Sequence, residues 1–152
     1  MIFDKLTFRS VIVRPVLVPL RRPVVSKVGL FDQWPIILID IETEEGVVGR
    51  SYLEPYLKNS VRSIIPAIHD LAAQRKGYPI RPIEDFQHGQ KSLNLIGYEG
   101  VSMIAVAGLD MAAWDALAKA DASGSISRWL HRARPRLQQQ WAVADRPCGI
   151  GR

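Results

Sequence analysis

The chain has 152 residues, 47% of them apolar, with 11 glycines, 10 prolines and one cysteine. That length supports one ordinary hydrophobic core, but it excludes a complete (β/α)8 barrel, which needs about 250 residues. Twenty Lys and Arg against 15 Asp and Glu give a net charge of +5. The excess lies entirely in residues 128–152, which contain six arginines and one acidic residue.

Cysteine usage and the first residues of the chain indicate the cellular compartment of the protein. The single Cys148 cannot form an internal disulfide, so we expect a reducing environment. Asp4 stands where a signal peptide would carry basic residues, and no apolar run approaches the roughly 18 residues of a membrane span. We therefore expect a cytoplasmic protein without a membrane partner. Because residues 1–127 are electrically balanced, nucleic acid is not expected to bind them.

The first third of the chain predicts antiparallel strands. Residues 6–20 are rich in Val, Ile and Leu and contain Pro15 and Pro19, a composition that suits an edge strand. Residues 35–53 contain two apolar runs around Gly46, which can supply the positive φ of a tight reversal. This pattern predicts a β-hairpin.

Between these strands, residues 21–34 predict a long mobile loop. They mix charges, Gly29 and apolar side chains without a strand or helix period. Their apolar content, which includes Val24, Phe31 and Trp34, is too high for a plain connector. Such a loop either packs back on its own sheet or covers another surface, and composition alone does not choose.

Three helices are predicted after the sheet, and they should cover its apolar face. Residues 58–75 carry apolar side chains at spacings of three and four, with Pro66 expected to bend or divide the helix. Residues 82–95 form the second helix and residues 100–121 the third. The predicted fold class is therefore α+β, a three-stranded antiparallel sheet followed by a helical bundle.

The third helix is apolar nearly all round. Met111 and Trp114 lie at helical spacing and are interpreted as core residues, not as a pair that stacks on a ligand. Asp115 and Lys119 have the spacing of an i,i+4 ion pair on the wetter side of the helix.

Motifs for catalysis or metal binding are missing from the sequence. It has no phosphate loop, no Gly-rich dinucleotide fingerprint, no C-x-x-C pair and no H-E-x-x-H sequence. His69 and His88 stand alone in predicted helices and are interpreted as surface residues. Glu42, Glu44 and Glu45 form the densest acidic group, but carboxylates at a hairpin turn usually face water. No catalytic and no metal-binding residue is therefore assigned.

The order of elements and several local stretches resemble the amino-terminal capping domain of the mandelate racemase group (mandelate racemase / muconate lactonizing enzyme) within the enolase superfamily. The stretches are residues 18–20, 35–43, 46–52 and 107–119. The resemblance covers residues 6–130.

The resemblance implies that the sheet and helices pack on a modified (β/α)8 barrel, which should follow in the same chain. Enzymes of this family hold Mg2+ on three barrel carboxylates and use Lys or His bases to abstract the proton α to a carboxylate. A complete chain would racemise or dehydrate a hydroxy acid or sugar acid, or catalyse cycloisomerisation, as a homo-oligomer. None of those catalytic residues or Mg2+ ligands matches a position in this sequence, so the chain is expected to be inactive alone.

The resemblance also implies a role for two segments. In the family, two loops of the capping domain close the mouth of the barrel, exclude water and shape the side of the pocket that selects substrate. By position these loops are residues 24–34 and 53–57, with Val24, Phe31 and Tyr56 as the substrate-facing side chains. On the third helix, Asp110 and Trp114 recur in the family and are interpreted as structural and subunit-packing residues.

The family pattern ends at about residue 130, which sets the predicted domain at residues 1–130. Residues 131–152 have no period and predict a disordered tail. Read one base forward with permitted codons, residues 136–147 become Val-Tyr-Asn-Ser-Asn-Gly-Leu-Ser-Leu-Ile-Asp-Arg, which resembles the first barrel strand of a family member. We therefore hypothesise a frameshift between Leu130 and Arg136 that leaves an out-of-frame tail.

Two other interpretations stay open. One is a stand-alone interaction module whose residues 128–152 bind a polyanion, with Trp129 and Trp141 available for stacking. Salt-dependent retention on a polyanion column should then be lost when this tail is removed. The other is a cap that complements a separately encoded barrel, which mixing the two polypeptides and assaying Mg2+-dependent α-proton exchange would test.

Overall fold

A computed structural model describes residues 5–121 as a three-stranded antiparallel sheet followed by helices. The strands are β1 (Phe8–Ser26), β2 (Gly29–Thr43) and β3 (Val48–Leu53), in the order β1-β2-β3. The helices are α1 (Val61–Ala73), α2 (Pro82–Ser92) and α3 (Val101–Ala120), and a short 3-10 turn, Lys58–Ser60, precedes α1. The predicted α+β class is confirmed. The predicted disordered tail and the hypothesised frameshift lie outside the described residues.

The predicted mobile loop at residues 21–34 is wrong, because this segment belongs to a second hairpin. Ser26 and Gly29 are paired across a two-residue turn, and the Ser26 hydroxyl accepts a hydrogen bond from the Val28 N–H at 3.1 Å. Gly29 has φ +151°, a conformation that favours glycine. The segment's three valines favour extended backbone, and this preference outweighs the charges and the glycine on which the loop prediction rested.

β1 is an edge strand, as predicted, and it contains Pro15, Pro19 and Pro23. Pro15 is paired with Ile37 and Pro19 with Gln33, and neither proline has an N–H to donate. Residues four apart in a strand point their N–H groups to the same side, and proline is tolerated where that side faces away from the ladder. The missing donors therefore fall on the free edge, where they hinder pairing with another chain.

The other elements follow the sequence predictions closely. The β2–β3 hairpin is confirmed, with Gly46 at φ +81° and its N–H bonded to the Thr43 carbonyl at 3.1 Å. Helix α1 runs through Pro66 without dividing. Helix α2 starts at the predicted Pro82 but ends at Ser92, three residues earlier than predicted.

The core lies between the helices and one face of the sheet. Ile37, Ile39 and Ile41 alternate along β2 and are at most 1% exposed. They belong to the same buried cluster as Ile64 and Ile68 of α1 and the alanines of α3. Full burial of one such side chain stabilises the fold by about 1.5–3 kcal/mol.

Helix α3 packs on β3 without large side chains between them. A Cβ added to Gly49 would lie 2.1 Å from the Ala112 carbonyl oxygen and 2.7 Å from the Ala116 Cβ. One added to Gly108 would lie 2.5 Å from the Ile39 side chain. The Ser51 hydroxyl donates a hydrogen bond of 2.7 Å to the Gly108 carbonyl. Backbone therefore approaches backbone along this contact.

The close packing of α3 overturns one prediction and confirms another. Met111 was predicted as core, but it is 44% exposed, and Trp114 is only half-buried. The buried residues of α3 are four alanines, Gly108 and Val106, and Met111 lies on a more exposed face. The predicted ion pair is present, with Lys119 Nζ 2.5 Å from Asp115 Oδ2.

Helix α3 also corrects the expectation that no segment approaches the length of a membrane span. Its 20 residues are long and apolar enough to cross a membrane by length and composition alone. The core helix of a globular domain passes the same test, and α3 supplies six buried residues to this core. Alanine and glycine count as apolar in such a test even where they serve close packing.

We expect Gly49→Ala to destabilise the fold by about 3 kcal/mol, because the new methyl group meets backbone that no rotamer change can move. Gly89→Ala is the matched control. Its added Cβ would lie 3.1 Å from a Val106 methyl group, and alanine gains about 1 kcal/mol of helix propensity in α2. Urea denaturation of both variants checks the difference, and equal stabilities would contradict the close approach.

Candidate functional site

The longest projection of the domain is a two-stranded ribbon formed by residues 18–34. β3 pairs with β2 only from Ile37 to Glu42, so β1 and β2 continue past the end of β3 with no third strand beside them. Every residue from 21 to 30 is exposed. The ribbon therefore presents its side chains away from the core of the described domain.

The tip of the ribbon carries an exposed apolar patch. Val25 is 80% exposed, Val28 79% and Leu30 68%. Within residues 5–121 nothing covers these side chains. Exposed apolar groups concentrated in one place indicate a surface that packs against something else.

Two of the three predicted substrate-facing residues lie opposite each other on the ribbon. Val24 and Phe31 are register partners, so their side chains share one face. Val24 is 44% exposed, and the Phe31 ring meets Trp34 edge to face, with centroids 6.0 Å apart. This aromatic contact gives the base of the ribbon a fixed side-chain arrangement.

The third predicted residue, Tyr56, sits on a strained turn between β3 and α1. It is the non-glycine residue with positive φ, +60°, in the described chain, and its side chain is 62% exposed. The Leu57 N–H donates to the Pro55 carbonyl at 2.7 Å, so the turn closes on three residues around Tyr56. A γ-turn with positive φ is rare and strained, and strain of this kind concentrates at functional sites.

A hydrogen bond joins this turn to the ribbon. Lys58 Nζ donates to Gln33 Oε1 at 2.9 Å. Gln33 is two residues from Phe31, and Lys58 is two residues from Tyr56. The structure thus brings the two predicted lid segments side by side, at the same end of the sheet. Sequence reasoning missed this link because neither residue belongs to a pattern.

The described residues contain no metal site. Within residues 5–121, no group of three or more His, Cys, Asp and Glu side chains could hold a metal ion. The expectation that the acidic turn simply faces water holds for Glu44, which is exposed. Glu45 accepts a hydrogen bond from the Thr7 N–H at 2.7 Å, and Glu42 accepts one from the Ser10 hydroxyl at 2.5 Å. These two carboxylates hold the start of β1.

The pKa of Glu45 reflects this structural use. Burial raises it, but the hydrogen bonds with Thr7 act against burial, and the net pKa is lowered. The Glu45 carboxylate therefore stays charged in the folded domain at neutral pH, as its acceptor role requires.

A family model described as the mandelate racemase / muconate lactonizing enzyme N-terminal domain matches residues 8–127. Among curated proteins, the chain is similar to the D-galactonate dehydratases of Xanthomonas campestris pv. campestris (strain B100) and Variovorax paradoxus (strain S110), each 29% identical over 115 residues. The match covers 75% of this chain and 30% of each relative.

Two solved structures match a similar share of this chain. An enolase from alpha proteobacterium BAL199 with bound magnesium is 52% identical, with a TM-score of 0.74, over 76% of this chain and 32% of that one. A Bradyrhizobium enolase complexed with magnesium and mandelic acid is 32% identical, with a TM-score of 0.71 and the same coverage of both chains. The chain thus spans about a third of the length of its relatives.

We expect Tyr56→Gly to stabilise the domain by about 1 kcal/mol, because glycine adopts positive φ without the strain that tyrosine bears. Leu57→Gly is the matched control. Leu57 has ordinary extended backbone, with φ −113°, so glycine there should cost about 1 kcal/mol through added freedom of the unfolded chain. Thermal unfolding of both variants measures the two signs, and a loss of stability in Tyr56→Gly would contradict the strain.

Proposed function

The chain belongs to the family of mandelate racemase / muconate lactonizing enzyme N-terminal domains, and we propose that it is the lid of an Mg2+-dependent enzyme. The barrel that carries catalysis would be a separate part of that enzyme. The observation that carries this proposal is the exposed apolar tip of the ribbon beside the strained turn at Tyr56. A lid needs such a surface, because it closes by burying apolar groups against its partner.

The ribbon has enough apolar area for this role. Burial is worth about 25 cal/mol per Å2 of apolar surface, so covering Val25, Val28 and Leu30 would supply several kcal/mol toward closure, about 1.5–3 kcal/mol for each fully buried side chain. A closed lid also excludes water, which strengthens electrostatic interactions at the reacting atoms. Val24, Phe31 and Tyr56 would then face the substrate, the first two as an apolar wall and the third through its phenol.

The substrate class we propose is an α-hydroxy acid or a sugar acid. Mandelic acid in the Bradyrhizobium structure and galactonate in the names of the dehydratases both carry a hydroxyl group α to a carboxylate. The proposed reaction begins by removing the proton on that α carbon, and it ends as racemisation or as dehydration. Magnesium bound to the carboxylate would stabilise the charge that develops there.

The described residues do not fit a magnesium site, since residues 5–121 offer no cluster of metal ligands. Magnesium would therefore be held by the barrel, and the chain would be inactive alone. This domain would bind and orient the substrate and would exclude water from the site. Such positioning can raise the reaction rate as much as the catalytic groups do. The domain boundary at residue 130 and assembly as a homo-oligomer belong to the same proposal.

A chimera tests the lid directly. Residues 8–121 would replace the matching segment of the BAL199 enolase, whose 52% identity favours a compatible interface. We expect Phe31→Ala and Tyr56→Ala in the chimera to lower kcat/KM for a hydroxy acid substrate by about 10–100-fold, the usual effect of deleting one pocket contact.

The matched control for the chimera is Leu95→Ala. Leu95 is fully exposed and lies between α2 and α3, far along the chain from both lid segments, so its removal should leave kcat/KM unchanged. A folded chimera that binds Mg2+ and turns over substrate, yet is indifferent to Phe31→Ala and Tyr56→Ala, would contradict the lid.

Sequencing the coding DNA tests the proposed connection to a barrel. We expect that translation of all three frames from the codon of Asp115 to several hundred bases past the stop will show an adjacent frame that continues into a barrel with a Lys-x-Lys strand and spaced carboxylates. If no frame encodes a barrel, the frameshift hypothesis is wrong and the complementation experiment becomes decisive.

A further inference from the structure

A small cavity lies beneath the helices, at the place where three charged groups from different parts of the chain converge. Its volume is about 50 Å3, enough for a few water molecules. The walls are mostly apolar, and include Phe8, Leu71, Phe86, Val106 and Leu109. Arg75 follows α1, Asp85 lies in α2 and Asp110 lies in α3, and all three side chains line this cavity. Neither the lid nor any catalytic step makes use of it.

Asp85 is partly compensated by two partners, although burial outweighs them and raises its pKa. Its Oδ1 lies 2.5 Å from Arg75 Nη2, and each side chain is less than a quarter exposed. Its Oδ2 accepts a hydrogen bond from the Arg81 N–H at 2.8 Å, which satisfies a donor at the start of α2. The Arg75 guanidinium also stacks over the Tyr78 ring, 4.9 Å from the centroid. The pair therefore ties the end of α1 to the start of α2.

Asp110 has no such compensation. Among residues 5–121 no cation forms an ion pair with it, and its hydrogen-bond partner is Trp114 on its own helix. The other charged or titratable residues that line the cavity are Asp85, Arg75, which is already paired with Asp85, and His88 of α2. The Asp85 charge raises the pKa of Asp110, and the partly buried setting strengthens this repulsion.

We propose that Asp110 makes the packing of α2 against α3 sensitive to pH. The two helices pack tightly when Asp110 is protonated and more loosely when it is ionised. A protonated Asp110 can donate a hydrogen bond across the cavity, and it no longer repels Asp85. An ionised Asp110 needs water or a counterion in the cavity. The inference concerns the described domain alone and stands whether or not the domain is a lid.

The direction of the pH effect follows from the charge balance. The pKa of Asp110 is raised to about 6, chiefly by burial and also by the Asp85 charge, while the Trp114 hydrogen bond acts to lower it. A carboxyl group whose pKa is higher in the folded state than in the unfolded chain binds a proton on folding. Stability should therefore increase as pH falls from about 7 toward 5, whereas compensated carboxylates lose stability on acidification.

Thermal unfolding of the full chain at fixed ionic strength between pH 5 and 8 tests the pH sensitivity of the contact between α2 and α3. We expect Asp110→Asn to raise the Tm at pH 7.5 by about 4–8 °C and to flatten the pH dependence between 5 and 7.5, because the amide is neutral and has the same shape. Asp70→Asn is the matched control, since Asp70 is an exposed carboxylate on α1. It should keep the pH dependence of the parent chain.

Direct titration keeps the inference testable even if a variant fails to fold. Carboxyl 13C NMR of the parent chain should show one aspartate that titrates near pH 6, and this resonance should be missing from Asp110→Asn. Asp85→Asn should lower the Tm at every pH, because it leaves the Arg75 charge unpaired. An Asp110 that titrates below pH 4.5, or an Asp110→Asn variant with the parental pH dependence, would overturn the proposal.

Discussion

The close contact between α3 and β3 is the constraint on which this domain depends. At Gly49 and Gly108 the helix and the sheet meet through backbone and short side chains, so rotamer changes cannot absorb an error in position. The contact sets the distance between the layers, and the isoleucines of β2 fill the space that this distance leaves. The buried face of α3 consists mainly of alanines and Gly108, which bury little side-chain area, so the helix depends strongly on this fit for its stability.

The same helix also closes one edge of the sheet. The Arg50 N–H donates to Asp115 Oδ2 at 2.6 Å, and Lys119 Nζ donates to the Val48 carbonyl at 2.9 Å. Side chains of α3 thus occupy backbone groups along the outer edge of β3, while the prolines of β1 remove donors from the opposite edge. Exposed strand edges invite pairing with other chains. With both edges blocked, association through the sheet edges is disfavoured. Under the proposed function, the apolar tip of the ribbon is the surface that packs against the barrel.

How far the sequence predicts this structure depends on whether a feature has a local cause. The Gly46 turn, the stripe of α1 and the edge position of β1 follow from residue types within a few positions, and these predictions were correct. The ribbon was missed because the register shift between Pro19 and Val24 breaks the alternation that identifies a strand. Met111 was misplaced because a helix that is apolar on every side gives no sign of which side is buried.

Contacts between distant segments had no local cause at all. The link between Gln33 and Lys58 and the cavity shared by Arg75, Asp85 and Asp110 join residues that are 10 to 35 positions apart. Only the packing of the helices on the sheet brings them together. Resemblance to a family singled out residues 24–34 and 53–57, which periodicity could not do, and their role as a lid stays a proposal. The loop expected at the first segment is a hairpin.

Under the proposed function, the domain shapes the substrate pocket and excludes water from it, and the barrel supplies the catalytic groups. In this proposal the domain alters a reaction by deciding which substrate fits and how well water is excluded. Related domains accompany a galactonate dehydratase and an enolase that binds mandelic acid, which is what a separation of specificity from catalysis predicts. Side chains at the ribbon and at Tyr56 would then change the acid that enters the site without changing the bond that breaks.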